Sequence, residues 1–352
     1  MIEVTLTSSG VDWSNEVPIG PDTTEAEYYA LASRTVLRSD GYTLDLSQET
    51  SAGFSYDEIV GKTVGEIRFL FPADNESDFK MLTVHVQGDG DFIVPGSESF
   101  EDVFGGAGND TLDDGEPAGT VAIGYHDSLY GGAGDDTYLV HSYDTGVTER
   151  DVSGPDPSRD AGGSDTVITT DPYDLASGEA IETLRLLSGS HYGGGNEFNN
   201  TIVGNSDDDI LLGRDGSDVL RSGGGDDVLF GGRGNDQLVG NSGSDVYMFR
   251  GEAGRDRIAT FGADDLLLST TRLQDNNGDG LIEFGRNHRL DISNDASAVI
   301  TDENGHSVRA LEYDGMIEVE GLTYYVYSRT GSAAGISNAA SHDLASVDTF
   351  GG

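Results

Sequence analysis

The chain is predicted to be an all-β protein built on a solenoid of short parallel strands stacked layer on layer. Three observations predict it. Residues 195–248 divide into six units of nine in unbroken phase: GNEFNNTIV, GNSDDDILL, GRDGSDVLR, SGGGDDVLF, GGRGNDQLV and GNSGSDVYM. Position six is an acidic column (Asn200, Asp209, Asp218, Asp227, Asp236, Asp245), and position eight is an apolar one (Ile202, Leu211, Leu220, Leu229, Leu238, Tyr247). Glycine recurs at positions one, two and four.

Nine residues hold a turn and a short strand, but no helix with its connections. Glycine permits the positive φ of a tight loop, and Asp or Asn is the next best tolerated type there. That accounts for Asn205, Asp207 and Asn241 where glycine is missing. Alternation through positions seven to nine sends the position-eight side chain to one face, so stacked units build an inner apolar column.

Stacking also brings position-six carboxylates of successive layers together, where like charges raise one another's pKa or force the layers apart. A hard divalent cation resolves the conflict. Calcium accepts six to eight oxygens at roughly 2.3–2.6 Å in flexible geometry, and a glycine-rich loop offers bare carbonyls beside the Asp side chains; magnesium's stricter octahedron fits worse. The expected side-chain ligands are Asp110, Asp136, Asp209, Asp218, Asp227, Asp236 and Asp245.

GGRGNDQLV (Gly231–Val239) and GGAGNDTLD (Gly105–Asp113) resemble the calcium-binding nonapeptide of the repeats-in-toxin (RTX) family, G-G-x-G-x-D-x-U-x. The resemblance implies a calcium-binding parallel β-roll with two units per turn and several Ca2+ ions between successive loops. It also implies backbone carbonyl ligands at positions one, three and five of the better units. These are Gly105, Ala107 and Asn109; Gly213, Asp215 and Ser217; Ser222, Gly224 and Asp226; Gly231, Arg233 and Asn235; and Gly240, Ser242 and Ser244.

In chain order, residues 1–95 read as a separate β-rich module. Ile2 to Thr7, Tyr42 to Leu46, Val64 to Phe71, Phe79 to Val86 and Phe92 to Val94 are strand-like by alternation and β-branched or aromatic content. Thr24 with Glu27 forms a capping box for a short helix through Tyr28, Tyr29 and Leu31. The acids Asp40, Asp45, Glu49, Asp57 and Glu58 are scattered, as on a solvated face, and Trp13 and the tyrosines read as core before they read as a sugar platform.

The roll is expected over 96–248. Its first two full units, Gly105–Asp113 and Gly131–Leu139, start 26 residues apart, one short of three periods, which puts a bulge near Asp114–Gly119. Residues 140–194 interrupt the repeats with strand-like pieces Thr166 to Thr170 and Thr183 to Leu187, and resemble the spacer between RTX blocks. Residues 249–328 resemble the flank that follows the roll in serralysin-type proteins, carried by DVYMF, GRDRI and Asp264–Asp265 before Leu266–Leu268, and are expected to cap the last open edge. Within them Asp275, Asn277 and Asp279 read as the first half of an EF-hand loop, a weaker metal candidate whose twelfth position is Arg286 instead of Glu. Residues 329–352, small and polar, are by resemblance a candidate tail for type I export, although Phe350 is followed by two glycines.

Composition narrows the function. The net charge is −45 with only 19 Lys plus Arg, which argues against a nucleic-acid partner, since phosphate binding needs a basic face. There is no cysteine, so neither disulfides nor thiolate metal sites staple the chain. MIEVTLTSSG has neither the basic nor the apolar region of an ordinary signal peptide, and no run of eighteen apolar residues reads as a transmembrane segment. No histidine sits in H-E-x-x-H, no serine in G-x-S-x-G, and no P-loop or dinucleotide fingerprint is present, so the sequence leans away from an enzyme. The expected function is a secreted calcium-binding protein, extracellular or at the cell surface, whose roll folds on external calcium. Two alternatives share that property: an enzyme acting on extracellular polysaccharide with residues 1–95 catalytic, and a self-associating adhesin or surface-layer component.

Overall fold

Each nine-residue unit turns where its glycines lie and extends where its aliphatic residues lie, and the computed structural model shows the strands that result. Before residue 100 it describes strand backbones alone. Beyond that it describes residues 100–114, 127–149, 162–251, 254–277, 279, 281–284, 289–292, 296–332, 339, 342 and 344. The fold is all-β, a parallel β-roll, and the chain divides into two compact units, Met1–Ile168 and Thr169–Gly352.

In the first unit, one sheet runs in the order 10–12, 2–7, 35–39, 58–61, 81–87, 100–107, 128–133, 146–148, parallel throughout except for the antiparallel 2–7/10–12 pair. A second sheet stacks 65–66, 92–94, 111–113 and 137–140 in parallel, with 166–169 next in order. Strands expected before residue 96 therefore share a sheet with the first repeats. Ile2–Thr7 and Phe92–Val94 form as read, 81–87 is shifted slightly, 42–46 shortens to 44–45, and 64–71 splits into 65–66 and 69–70. The capping box at Thr24, Trp13, Tyr28 and Tyr29 lie outside the described residues, as does Arg286. The 26-residue step between the first two full units is real: Asp102 to Phe104 face Ser128 to Tyr130, and Leu112 faces Tyr138.

In the second unit, each sheet repeats at 18 residues, two units of the motif. Ile202, Leu220 and Leu238 stand in one register column, and Leu211, Leu229 and Tyr247 in the other. All six are 1% exposed or less, which makes position eight the core of the roll. The stack continues past Met248 for one more layer, through 254–259 and 266–269, with Ile258 and Leu267 in the same columns.

Strands 210–215, 219–224, 228–233 and 237–242 are six residues long, twice the expected three. Positions one to three of the following unit stay paired, as where Arg214 faces Gly232 and Asp215 faces Arg233. The turn is thus confined to positions four to six. Gly234 needs its freedom: φ is +143°, and a Cβ there would run into the Gly216 carbonyl. Asn241 takes φ +69° as expected, but Asn205 and Asp207 are not among the positive-φ residues, whereas Arg214 is, at +76°. Asn205 instead accepts the Asp207 N–H on its side-chain oxygen at 2.7 Å, turning the chain by hydrogen bonding.

The two outer faces differ. On the sheet of 210–215, positions seven and nine are apolar, and Leu212, Val228, Val246, Met248, Leu266 and Leu268 cluster with Tyr324, Val326, Ala339 and Leu344. The other sheet shows Thr201, Arg221, Gln237 and Arg257 outward, half-buried or exposed.

The stack of parallel strands ends at a reversal. Strand 322–329 pairs antiparallel with 266–269 and forms a hairpin with 310–319 across Glu320–Gly321, both at positive φ as a two-residue hairpin turn requires. On the opposite sheet, 296–300 pairs parallel with 254–259 and then antiparallel with 290–291.

Because Leu220 fills its layer between Ile202 and Leu238, Leu220→Ala is expected to cost about 2–5 kcal/mol. Denaturant unfolding at saturating calcium measures it; a loss well below 1 kcal/mol would mean that the inner column does not carry the stack.

Candidate metal centre

Position six lies at the end of each turn, and its side chain folds inward against its own loop. Asp110, Asp136, Asp209, Asp218, Asp227, Asp236 and Asp245 are all 2% exposed or less. Each reaches the next layer in one way: the backbone N–H of a position-six residue donates to Oδ1 of its counterpart one layer on. In the first unit Asp110 donates to Asp136 at 2.6 Å and Asp136 to Asp165 at 2.8 Å. In the second, one ladder runs Asn200 to Asp218 to Asp236 to Asp256, and the other Asp209 to Asp227 to Asp245 to Asp265, over 2.7–3.2 Å.

Along the ladders Oδ1 is therefore occupied, while at Asp209, the first acid of its ladder, Asn205 N–H donates to Oδ2 at 2.7 Å and Asn205 Nδ2–H to Oδ1 at 3.3 Å. Oδ2 of Asp218, Asp227, Asp236 and Asp245 is buried without a hydrogen-bond partner. In Asp218, Asp236 and Asp245 it faces the position-one glycine of its own unit, whereas position one of the Asp227 unit is Ser222. A Cβ added to Gly105 would lie 2.5 Å from Asp110 Oδ2 and 2.7 Å from the Gly131 carbonyl oxygen, and one added to Gly195 would lie 2.6 Å from both Asn200 Oδ1 and the Gly213 carbonyl oxygen. Gly204 and Gly213 offer the same pair, from Asp209 with Ser222 and from Asp218 with Gly231. Bare glycine thus leaves a cradle that lets a position-six side-chain oxygen and a carbonyl oxygen of the next layer come close together, the hard oxygen donors that calcium takes. The residues fit a hard cation.

Electrostatics agree. Burial, ahead of every other cause, lifts Asp209 to about 7, Asp218 and Asp245 to about 8, and Asp227, Asp236 and Asp265 to about 6, from 3.8. Backbone hydrogen bonds pull the other way and lose. Neighbouring carboxylates add to the rise at Asp209, Asp218 and Asp245.

The family model of the RTX calcium-binding nonapeptide repeat matches four times, at residues 95–116, 124–139, 194–229 and 212–247. The chain carries RTX-type calcium-binding nonapeptide repeats. Calcium is the ion that such repeats bind. No curated protein matches the chain, and among the described residues no helix is long and apolar enough to cross a membrane.

The remaining residues expected around the RTX sites fall into two groups. Position three (Ala107, Asp215, Gly224, Arg233, Ser242) ends strands of six or eight residues; there Asp215 and Arg233 form an exposed 3.8 Å ion pair, worth little in water. Position five (Asn109, Ser217, Asp226, Asn235, Ser244) makes a second, outer ladder through side chains: Asn109 accepts from Asp135 N–H, Ser217 from Asn235, Asn235 from Arg255 and Asp226 from Ser244. Ser222 and Gly240, at position one of successive layers, are joined by a 3.1 Å hydrogen bond from Ser222 Oγ to the Gly240 carbonyl. Asp275, Asn277 and Asp279 spend oxygens on turn bonds to the N–H two residues on and lie at or near the surface.

Sequence reasoning missed Asp165, Asp256 and Asp265, which extend the ladders. Each is followed two residues later by Val167, Ile258 or Leu267, so D-x-apolar, the core of the motif without its glycines, was the available signal. It also missed Glu149, whose carboxylate comes within 4.8 Å of those of Asp136 and Asp165 and accepts the Tyr138 hydroxyl. Asp113, Asp114 and His141 form another cluster, in which Asp114 accepts from His141 N–H, Ser142 N–H and Thr145 Oγ1 at 2.8–3.2 Å and so shapes the 141–145 loop.

The raised carboxylates fix the sign of a pH effect. Without metal, the folded roll binds more protons than the unfolded chain between about 4 and about 8, so its stability falls as pH rises through that window. In chelator, β-structure and melting temperature are expected to rise as pH drops from 8 to 5, followed by circular dichroism. A chelated chain that grows more stable towards pH 8 would contradict the buried ladders.

Proposed function

We propose that this is a secreted calcium-binding protein whose roll is assembled by extracellular calcium. The observation that carries the reading is the row of buried position-six carboxylates, in which Asp218, Asp227, Asp236 and Asp245 each give one oxygen to the neighbouring layer and bury the other without a hydrogen-bond partner. Unneutralised, such a row opposes its own burial. Bound calcium supplies the positive charge that lets the carboxylates ionise in place.

Asp110, Asp209, Asp218, Asp227 and Asp236 are the side chains assigned to hold the ions, with carbonyls from positions one, three and five of the adjoining loops. Since calcium binds the folded roll and not the open chain, its binding free energy becomes folding free energy. Cytosolic calcium is too low to drive the step, and external calcium, on the order of millimolar, is enough for modules of this type. A chain kept open inside the cell is exportable.

The functional division follows. Residues 96–248 are the calcium-folded part, 249–328 the cap in the manner of a serralysin-type flank, 329–352 the signal read by type I export machinery, and 1–95 the part left for a role of its own.

Chelation is expected to strip β-signal from the intact chain, and calcium titration to restore it cooperatively. An unchanged far-UV spectrum in excess chelator would end the folding-switch reading. Asp227→Ala is expected to weaken calcium at its own loop and at the neighbouring one, lowering cooperativity more than loss of one isolated site; a titration matching the parent's would refute the ligand assignment. Export that persists without residues 329–352 would take the signal elsewhere.

A further inference from the structure

Four cradles share one construction. A Cβ on Gly105, Gly195, Gly204 or Gly213 would meet the position-six oxygen of its own unit and the position-one carbonyl of the next layer, both within 2.7 Å. Gly131 and Gly240 differ. There the place of the carbonyl is taken by a phenol oxygen from the same unit, Tyr138 or Tyr247. Both tyrosines stand at position eight, where the other units carry Leu or Ile, and both are fully buried.

Both also precede a break in step. Asp110 reaches 26 residues on, to Asp136, but Asp136 reaches 29, to Asp165. Asp227 reaches 18 on, to Asp245, but Asp245 reaches 20, to Asp265. No position-one carbonyl of the following layer is then among the nearest atoms of the cradle. Nor does the glycine N–H have the acceptor that Gly195 and Gly204 find in the Leu212 and Arg221 carbonyls.

The phenol supplies both. Gly131 N–H donates to Tyr138 Oη at 2.8 Å and Gly240 N–H to Tyr247 Oη at 3.0 Å. Tyr138 donates its own proton to Glu149, and Tyr247 points its towards the Ala259 carbonyl at 3.4 Å. The phenol oxygen, already accepting the glycine N–H, occupies the place that the next layer's carbonyl takes in the open cradles. Gly231 is the internal comparison: its ladder also steps by 20, but with Leu238 at position eight the three nearest atoms all belong to Asp236.

We propose that Tyr138 and Tyr247 are stoppers that close the two repeat blocks by filling the cradle with a neutral hydroxyl, so that Asp136 and Asp245 hold no calcium although their units match the motif. This rests on the calcium reading of the open cradles, and the test separates the two. Bound calcium is counted by elemental analysis and native mass spectrometry on the full chain, for the parent and for Asp218→Asn, Asp136→Asn and Asp245→Asn. Asparagine is already accommodated at position six, at Asn200.

Asp218→Asn is expected to lose at least one ion, and Asp136→Asn and Asp245→Asn none. Loss of an ion from either of the latter two overturns the stopper. A parent-like count for Asp218→Asn instead overturns the calcium assignment of the open cradle, and the stopper with it. Tyr247→Phe is expected to keep the parent's ion count while its melting temperature at saturating calcium drops by roughly 2–4 °C; a lower count would make the phenol a ligand and end the proposal. If that variant does not fold, Tyr138→Phe and Asp245→Asn carry the same comparison.

Discussion

Each layer of the roll is tied to the next by a backbone N–H donated to a buried carboxylate, and the rest of the molecule is arranged around that bond. A hydrogen bond to a charged acceptor contributes about 1.5–3 kcal/mol, more than one between neutral groups. It is also demanding. The carboxylate must lie under the loop above it, away from water, and burial then outweighs the N–H bonds that favour its charge. Glycine at position one follows from the same bond, because the carboxylate's second oxygen sits where a Cβ would be. So do the mutual spacing of the loops and the demand for a counter-charge.

The nine-residue period conceals an eighteen-residue one. Alternate units present different residues at positions seven and nine: Ile210 and Leu212, Val228 and Phe230, Val246 and Met248 on one sheet; Thr201 and Val203, Val219 and Arg221, Gln237 and Val239 on the other. The first set joins Tyr324 and Val326 of the terminal hairpin, with Ala339 and Leu344, in one apolar cluster, and His342 reaches the Ser244 carbonyl at 2.6 Å beside it. One face of the roll is therefore an interior surface, and the other meets solvent.

Much of this was legible in the sequence where a residue type answers a single physical demand. Position eight had to be apolar to fill a layer, and it is the core from Ile202 to Tyr247. Position six had to be acidic to meet an ion, and it is buried throughout. Legibility failed where a second interaction could do the work of the expected one. Arg214 holds a positive φ that composition would give to glycine, anchored by its 2.7 Å bond to Asp174, while Asn205 turns the chain without one. Asp165, Asp256 and Asp265 escaped notice because the glycines around them are lost or displaced; the ladder bond needs only the carboxylate and the apolar residue after it.

The reversal at 322–329 sets a direction on the molecule. A parallel stack ends in the same evenly spaced row of donors and acceptors with which every earlier layer began, so an identical copy could dock there and continue it without limit. An antiparallel strand replaces that row with alternating close and wide pairs that a repeat layer cannot match. Behind it, the outermost strand of that sheet is 281–283, three residues long and bearing Glu283. Among the described residues, that edge of the sheet therefore offers no parallel template on which a further repeat layer could build.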